Sequence, residues 1–320
     1  MNFMCLKNKF LFTLFFLSIN TVNAQLSKVH YIPPITATDD PGDQWLYIST
    51  PSTAQVNYVV KIWGEDGNLG TVFSSGTLNN TSPIAIELPP DKPGSGWWSN
   101  FIVESSKTEQ VLKKGYVIET DSETYVSVRA NSDGDQYQAG ALVSKGKSGL
   151  GTRFRAGMFK NRTFQHVGFI SVMATEDLTQ VSFNSTKDTE TNKGSKLAET
   201  PINVTLNKGE SYVVASQAIF DGSFDNGNEL IGTLVTSNKP IVVNTGSASG
   251  SFAEFTGGQD YGFDQLVGSD LVGSEYIFIR GNGRDEWENV LIIADQDNTE
   301  VLVNGQAYET IAKAGDFRII

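Results

Sequence analysis

Hydrophobic and polar positions follow one pattern twice in the second half of the chain. Residues 170–184 align without a gap with residues 290–304. Both segments begin with an apolar run and an alanine, continue through an acidic turn and a threonine, and end with alternating apolar positions and an asparagine. Because such self-similarity marks a repeated structural unit, the sequence predicts two copies of one β-rich unit.

A second block follows each copy and extends the repeat. Residues 201–214 correspond to residues 308–320, and Gly209 and Gly315 occupy equivalent positions. The first copy also carries a polar stretch, residues 185–200, that the second lacks. We expect this stretch to form a loop, because insertions between repeats map to loops.

Local sequence within the second copy predicts a strand, a turn and a second strand. Residues 290–293 are wholly apolar, residues 295–298 are turn formers, and residues 301–304 alternate between the two faces of a strand. Asn304 and Gly305 then form a hairpin signal, because both tolerate the positive φ of a type I′ turn. A hairpin alone is marginal in water, so each copy is expected to pack against neighbours.

The first part of the chain predicts short strands separated by Gly, Pro, Asn and Asp, without a helical period. Residues 117–128 also resemble residues 233–244, and each segment is interpreted as a hairpin; chance similarity of two hairpins is the alternative. The strands predicted before the repeat cover residues 43–50, 56–63, 83–88, 97–104 and 115–130.

These patterns predict an all-β fold built from repeated antiparallel β-rich units. A β-sandwich-like arrangement is the first prediction, and a ring of β-propeller-like blades is the alternative. The predicted organisation is a signal peptide at residues 1–24, an N-terminal β-rich domain at residues 25–130 and a repeat domain at residues 131–320.

The first 24 residues have the three parts of a secretory signal peptide. Lys7 and Lys9 form a positive segment, residues 10–19 form a compact apolar run, and Ala24 ends a stretch suited to cleavage. The apolar run is shorter than the roughly 20 residues that span a bilayer, so a membrane anchor is the weaker interpretation. We therefore predict a secreted protein that begins at Gln25 and has no later membrane span.

Composition narrows the classes of partner and cofactor. Cys5 is the only cysteine and lies ahead of the apolar run, so the mature chain is expected to have no disulfide and no cysteine-bound metal. The net charge of −12 argues against binding to nucleic acid or anionic lipid. Stability is expected to come from core burial, which a chain of this length can supply.

One basic cluster interrupts this acidic chain, and it includes Lys145, Lys147 and Arg153. Ala141 stands where a phosphate-binding P-loop needs glycine, and no helical pattern follows. The cluster is interpreted as a solvated loop and strand face, and a docking patch for an acidic partner is the alternative, which makes Lys145, Lys147 and Arg153 candidate ligand-binding residues.

Motifs for familiar catalytic chemistry are missing from the sequence. His30 and His166 lie in unrelated surroundings without the spacing of a catalytic triad or a zinc site, and His166 is expected to be a core or edge histidine. Residues 246–250 place alanine where a nucleophilic serine belongs. The enzyme alternative is an extracellular carbohydrate hydrolase that uses two carboxylates from distant strands.

Acidic turns make calcium the one candidate cofactor. Carboxylate and carbonyl oxygens are the ligands that Ca²⁺ prefers, although Asp also caps tight turns without a metal. The candidate metal ligands are Asp133, Asp135, Asp221 and Asp225.

Aromatic residues between Gly and Ser residues form the candidate ligand-binding loops. The loops are Trp97-Trp98 and residues 252–263, which we expect to be partly exposed, and the candidate ligand-binding residues in them are Trp97, Trp98, Phe252 and Tyr261. The alternative is that these side chains belong to the core.

Several motifs from residue 237 onward occur in a fixed order. They are a Lys239-Pro240 strand, an Asp264-Gln265-Leu266 segment, Gly273-Ser-Glu-Tyr276 opening a strand, and an Asn298-Thr299 turn that leads to Asn304-Gly305. With these motifs, residues 115–320 resemble the N-terminal domain of the IgGFc-binding protein family.

This resemblance implies a binding or adhesion module without catalytic activity. Its ligand would be a protein or a glycan at a cell surface, and the bacterial members of the family imply a Bacteroidetes surface protein linked to adhesion and gliding. The chain departs from the animal relatives because the mature part lacks cysteine.

The repeat also leads us to expect that the chain is a fragment. The first copy continues through residues 232–243, which are interpreted as a hairpin that closes its sheet. The second copy reaches residue 320 without a counterpart, so we expect a closing segment and further C-terminal domains to be missing.

Overall fold

The fold is nearly all strand. A computed structural model describes residues 25–37, 41–64, 67–89, 99–132, 139–161, 166–187, 190–217, 230–251, 260–281, 283 and 288–320. Helix within these residues is limited to three single 3-10 turns, at Ser105–Lys107, Gly146–Gly149 and Ser269–Leu271. The all-β prediction is therefore confirmed.

Twelve of the named strands lie before the predicted repeat, and ten lie from its first strand onward. The strands before it are β1 (Ser27–Ile32), β2 (Ile35–Ala37), β3 (Pro41–Ser49), β4 (Val56–Trp63), β5 (Leu69–Leu78), β6 (Ile84–Glu87), β7 (Ile102–Glu104), β8 (Val111–Leu112), β9 (Tyr116–Ser132), β10 (Ala139–Val143), β11 (Gly151–Arg155) and β12 (Lys160–Asn161). The remaining strands are β13 (Val167–Ala174), β14 (Thr179–Asn184), β15 (Ile202–Leu206), β16 (Ser211–Gln217), β17 (Leu234–Ser251), β18 (Asp260–Gln265), β19 (Leu291–Ile293), β20 (Thr299–Val303), β21 (Gln306–Ile311) and β22 (Phe317–Ile319).

Two long strands organise the two large sheets. In the first sheet the order is β5-β4-β9-β3-β6, and β1 and β10 also pair with β9. In the second the order is β15-β14-β17-β13-β16-β8, and β11, β12 and β18 also pair with β17. Each long strand therefore contacts different neighbours along its length.

The hairpin interpretation of residues 117–128 and 233–244 is wrong, because each segment lies within one continuous strand. The first half of β9 pairs with β4 and the second half with β3. Likewise β17 pairs with β14 near residue 236 and with β13 from residue 241 onward. The polar residues in the middle mark the place where the strand changes neighbours, and the chain does not reverse there.

The two large sheets pack together around a shared hydrophobic core. Val126 and Val128 of the first sheet belong to the same buried cluster as Phe169 and Val213 of the second. The ring of Phe101 meets that of Phe263 with centroids 5.9 Å apart. Antiparallel sheets that bury apolar faces against each other form a sandwich, as predicted.

The sequence repeat is a structural repeat. In the first copy, β13 pairs with β16 and β14 with β15; in the second copy, β19 pairs with β22 and β20 with β21. Gly209 N–H donates to Ala174 O at 2.8 Å, and Gly315 N–H donates to Ala294 O at the same distance. Both glycines have positive φ, +81° and +88°. The prediction of repeated antiparallel β-rich units is thus confirmed, and the structure gives each copy four strands.

The predicted hairpin turn of the second copy is also present. Asn304 and Gly305 lie between β20 and β21 and have φ of +51° and +77°. Two successive positive φ angles are the requirement of a type I′ turn, which Asn-Gly meets at low steric cost.

Candidate functional site

The basic residues of the predicted cluster lie in two separate places in the structure, one beside Asp264 and one beside Asp295. Lys145 lies in the first place. Its Nζ is 2.8 Å from Asp264 Oδ2, and its backbone N–H donates to Gln265 Oε1 at 2.8 Å. Lys147 is exposed on the 3-10 turn Gly146–Gly149. The charge of Lys145 is therefore neutralised within the fold, and Lys147 points its charge to solvent.

The second site joins the two copies of the repeat. Arg153 Nη1 lies 2.6 Å from both carboxylate oxygens of Asp295, and Arg155 Nε lies 3.2 Å from Asp295 Oδ1. Arg155 Nη1 also donates to Gly232 O at 3.1 Å. Burial lowers the pKa of Arg155, and the hydrogen bond to Asp295 opposes that shift. Arg153 thus contributes an ion pair to the joint between the copies, and its role in ligand binding stays a prediction.

Further contacts strengthen this joint. Lys187 Nζ lies 4.2 Å from the ring centre of Phe317 and 3.3 Å from Ile231 O. A Cβ on Gly232 would overlap the backbone of Gly315, so the two backbone segments approach each other closely at this point. The joint thus combines a cation–π contact, an ion pair and close backbone packing.

A buried polar network lies behind Lys145. His30 Nδ1 is 3.0 Å from Ser144 Oγ, and Nε2 is 3.1 Å from the carbonyl oxygens of Ser27 and Thr124. Gln265 links this group to Asn244 through a 3.2 Å hydrogen bond. Burial lowers the pKa of His30 to about 4. A neutral, fully hydrogen-bonded imidazole of this kind holds strands together.

A half-buried aromatic pair lines a shallow depression on the first sheet. Trp45 and Tyr47 of β3 alternate with the buried Leu46 and Ile48, and they line a shallow depression with Arg129. The guanidinium carbon of Arg129 stands 5.1 Å from the ring centre of Tyr47. Sequence reasoning missed this surface, although the period-two alternation of β3 contains the signal for it. Trp, Tyr and Arg are the residue types that dominate binding hot spots.

Comparison with known families identifies the region that contains the repeat. Residues 139–319, more than half of the chain, match the family model of the IgGFc binding protein. The chain belongs to the IgGFc-binding protein family. The matched region begins at β10 and includes both copies of the repeat and the joint between them. No curated protein and no solved structure was found to match the chain.

The IgGFc-binding region also contains an exposed apolar ridge, residues 276–279. Tyr276 is 60% exposed, Ile277 88%, Phe278 64% and Ile279 93%. The family resemblance implied that a strand opens at Gly273, but residues 273–279 form no strand. An exposed run of four large apolar side chains is unusual for a soluble surface, which makes the ridge a candidate interaction site.

The structure describes two aromatic residues of the predicted binding loops, Tyr261 and Phe263. Tyr261 is 5% exposed and Phe263 6%, so the expectation of partial exposure is wrong for both. Their rings stack edge to face at 5.8 Å within the core shared by the two sheets. Trp97, Trp98 and Phe252 lie outside the described residues.

The predicted calcium ligands Asp133, Asp135, Asp221 and Asp225 all lie outside the described residues, so calcium binding stays a prediction. Among described residues, no group of three or more His, Cys, Asp or Glu side chains could hold a metal. In the acidic turn of the second copy, Asp295 binds two arginines and Asp297 accepts the N–H of Ala314 at 2.9 Å. These aspartates act as capping and joining groups of the turn.

Proposed function

We propose that this protein is a secreted or cell-surface module that binds a protein ligand and carries no catalytic activity. The family match over residues 139–319 carries the proposal, because this family is named for binding the Fc region of immunoglobulin G. A protein is therefore the first ligand class, ahead of a glycan.

Surface chemistry supports a binding role. The ridge at residues 276–279 is exposed, and the depression beside Arg129 is lined by the half-buried side chains of Trp45 and Tyr47. The described histidines are buried, and His30 is neutral above its lowered pKa of about 4. These surfaces suit contact with a macromolecule.

Secretion rests on the sequence of residues 1–24, with its positive, apolar and small-residue segments. Across the described part of the chain, the structure contains no helix with the length and hydrophobicity that crossing a membrane demands.

The test is a binding assay with the purified chain from Gln25 onward. Immobilised Fc and Fab fragments from the same immunoglobulin G serve as probe and control, beside a panel of cell-surface proteins and a glycan array. Saturable binding to Fc or to a panel protein, with Fab silent, is the expected result. Incubation with chromogenic glycosides tests the enzyme alternative. Turnover of a glycoside without stable protein binding contradicts the proposal.

A further inference from the structure

The depression beside Arg129 is built from three neighbouring strands of the first sheet, β3, β9 and β10. Asp43, Trp45 and Tyr47 of β3 alternate with buried residues, so these three side chains share one face of the strand. Arg129 of β9 pairs directly opposite Trp45, and Ala141 of β10 pairs opposite Arg129. Side chains at directly opposite positions lie on the same face of a sheet. The strand register therefore brings an acid, two aromatic rings and a base together on one surface.

The polar groups of this depression have no partner within the described part of the chain. The other arginines described there each form an ion pair with a carboxylate, namely Arg153, Arg155, Arg280 and Arg318. The Arg129 side chain makes only its contact with the ring of Tyr47. Among the same residues, the side chains of Asp43 and Trp45 form no hydrogen bond and no ion pair. These donors and acceptors are therefore available to a ligand.

This combination of groups matches the chemistry of a carbohydrate. A sugar ring presents C–H groups on its faces, which stack on aromatic rings, and hydroxyl groups around its edge, which both donate and accept hydrogen bonds. Trp45 and Tyr47 supply the aromatic surface. Arg129 supplies N–H donors, and Asp43 supplies carboxylate acceptors. The contact with Tyr47 also holds the guanidinium in place before a ligand binds.

The size and the charges of the depression distinguish a sugar from other ligands. Its volume of about 480 Å³ lies within the range of roughly 300–1,000 Å³ that small-molecule sites occupy. The core of a protein interface is depleted of charged residues, whereas Asp43 and Arg129 both stand beside the aromatic pair. Because these two charges have opposite signs, the depression favours a neutral ligand over a sulfated or sialylated one.

Small side chains keep the β10 side of the depression open. Ala139 and Ala141 line it and are exposed. Ala139 pairs with Asn131 of β9, whose side chain is exposed as well. A ligand longer than one sugar ring therefore has room to extend past Asn131, whose amide adds both donors and an acceptor.

We propose that this depression binds a neutral oligosaccharide, with a sugar ring stacked on Trp45 and its hydroxyl groups hydrogen-bonded to Arg129 and Asp43. All three residues precede residues 139–319, the region that matches the family. The site therefore adds a second kind of ligand, on a different part of the chain, to the proposed protein-binding function.

Immobilised cello-, manno- and xylo-oligosaccharides are the probes for the chain from Gln25 onward, with sialylated and sulfated glycans beside them. Trp45→Ala removes the stacking surface. Asp43→Asn and Arg129→Gln change exposed polar groups and leave the core intact. Tyr308→Ala is the matched control, because Tyr308 is 57% exposed on β21 of the second copy. Thermal melting checks that each variant is folded.

At least one neutral oligosaccharide is expected to bind the unmodified chain and Tyr308→Ala equally. Trp45→Ala is expected to weaken this binding roughly tenfold or more, because the stacking contact is lost. Asp43→Asn and Arg129→Gln are each expected to weaken it roughly tenfold, because each removes a charged hydrogen-bonding group. If Trp45→Ala does not fold, the two exposed variants decide the outcome.

Absence of binding to every neutral probe overturns the inference, and so does binding to acidic glycans alone. Equal affinity of the unmodified chain, Asp43→Asn and Arg129→Gln also overturns it. Binding to Fc and to the protein panel is measured with the same variants. Loss of protein binding in these variants without any glycan binding assigns the depression to the protein ligand and overturns the glycan site. Protein binding that persists in every variant leaves the proposed function standing, so the two failures are distinguishable.

Discussion

At the scale of single residues, charged and polar side chains mainly hold strands and copies together. Lys145, Arg153 and Arg155 form ion pairs with Asp264 and Asp295. The sequence shows these residues as a basic cluster, because their acidic partners lie more than 100 positions later in the chain. Only tertiary contacts bring the opposite charges together, between Lys145 and β18 and between β11 and the second copy.

His30 makes a residue-scale prediction about pH. Its folded pKa of about 4 lies below the ordinary value of 6.5, so the unfolded chain takes up a proton first as the pH falls. Stability is therefore present above about pH 6.5 and lost toward pH 4, by about 3 kcal/mol from this group. Urea unfolding of the unmodified protein and of His30→Gln between pH 7 and pH 4 measures the effect.

The difference in unfolding free energy between the two proteins is expected to shrink as the pH falls, because the variant lacks the titrating group. His166 is present in both proteins and cancels from the difference. Parallel curves of unfolding free energy against pH would show that His30 does not cause the loss of stability.

At the scale of elements, short-range periodicity predicted strand identity well. The predicted strand at residues 56–63 coincides with β4, and the Asn304-Gly305 turn is present. The predicted strand at residues 115–130 coincides with β9, but the hairpin interpretation of residues 117–128 and 233–244 failed because the polar midpoints of β9 and β17 have the composition of a turn. Whether such a midpoint reverses the chain depends on the neighbouring strands, which a local pattern does not contain.

The joint between the copies makes a prediction at this scale. Asp295→Asn removes the carboxylate that pairs with Arg155, whose side chain is 12% exposed. We expect a loss of roughly 1–3 kcal/mol in unfolding free energy, because a partly buried cation loses its partner. Chemical denaturation of the variant measures this loss.

Asp297→Asn, in the same turn, is the matched control. Asp297 pairs with Lys313 at 3.5 Å on the surface, and an Asn oxygen still accepts the N–H of Ala314. Its cost is expected to be clearly smaller. Equal costs for the two variants would mean that the Arg153–Asp295–Arg155 site adds nothing to the joint.

At the scale of the whole molecule, the architecture is a sandwich of two sheets followed by a second copy in which β19 pairs, among the described residues, with β22 alone. The repeat in the sequence predicted the two copies and the closing role of residues 232–243. The single strand that closes the first copy, and the exposure of Tyr276, became visible only once strand pairing was known.

Amide hydrogen exchange at equivalent positions of the two copies tests this account most directly. The N–H of Met173 faces β17, and the N–H of Ile293 faces the edge of β19 opposite β22, so Met173 should exchange slowly and Ile293 rapidly in the isolated chain. Equal protection of Ile293 and Met173 would contradict the strand pairing described for the two copies.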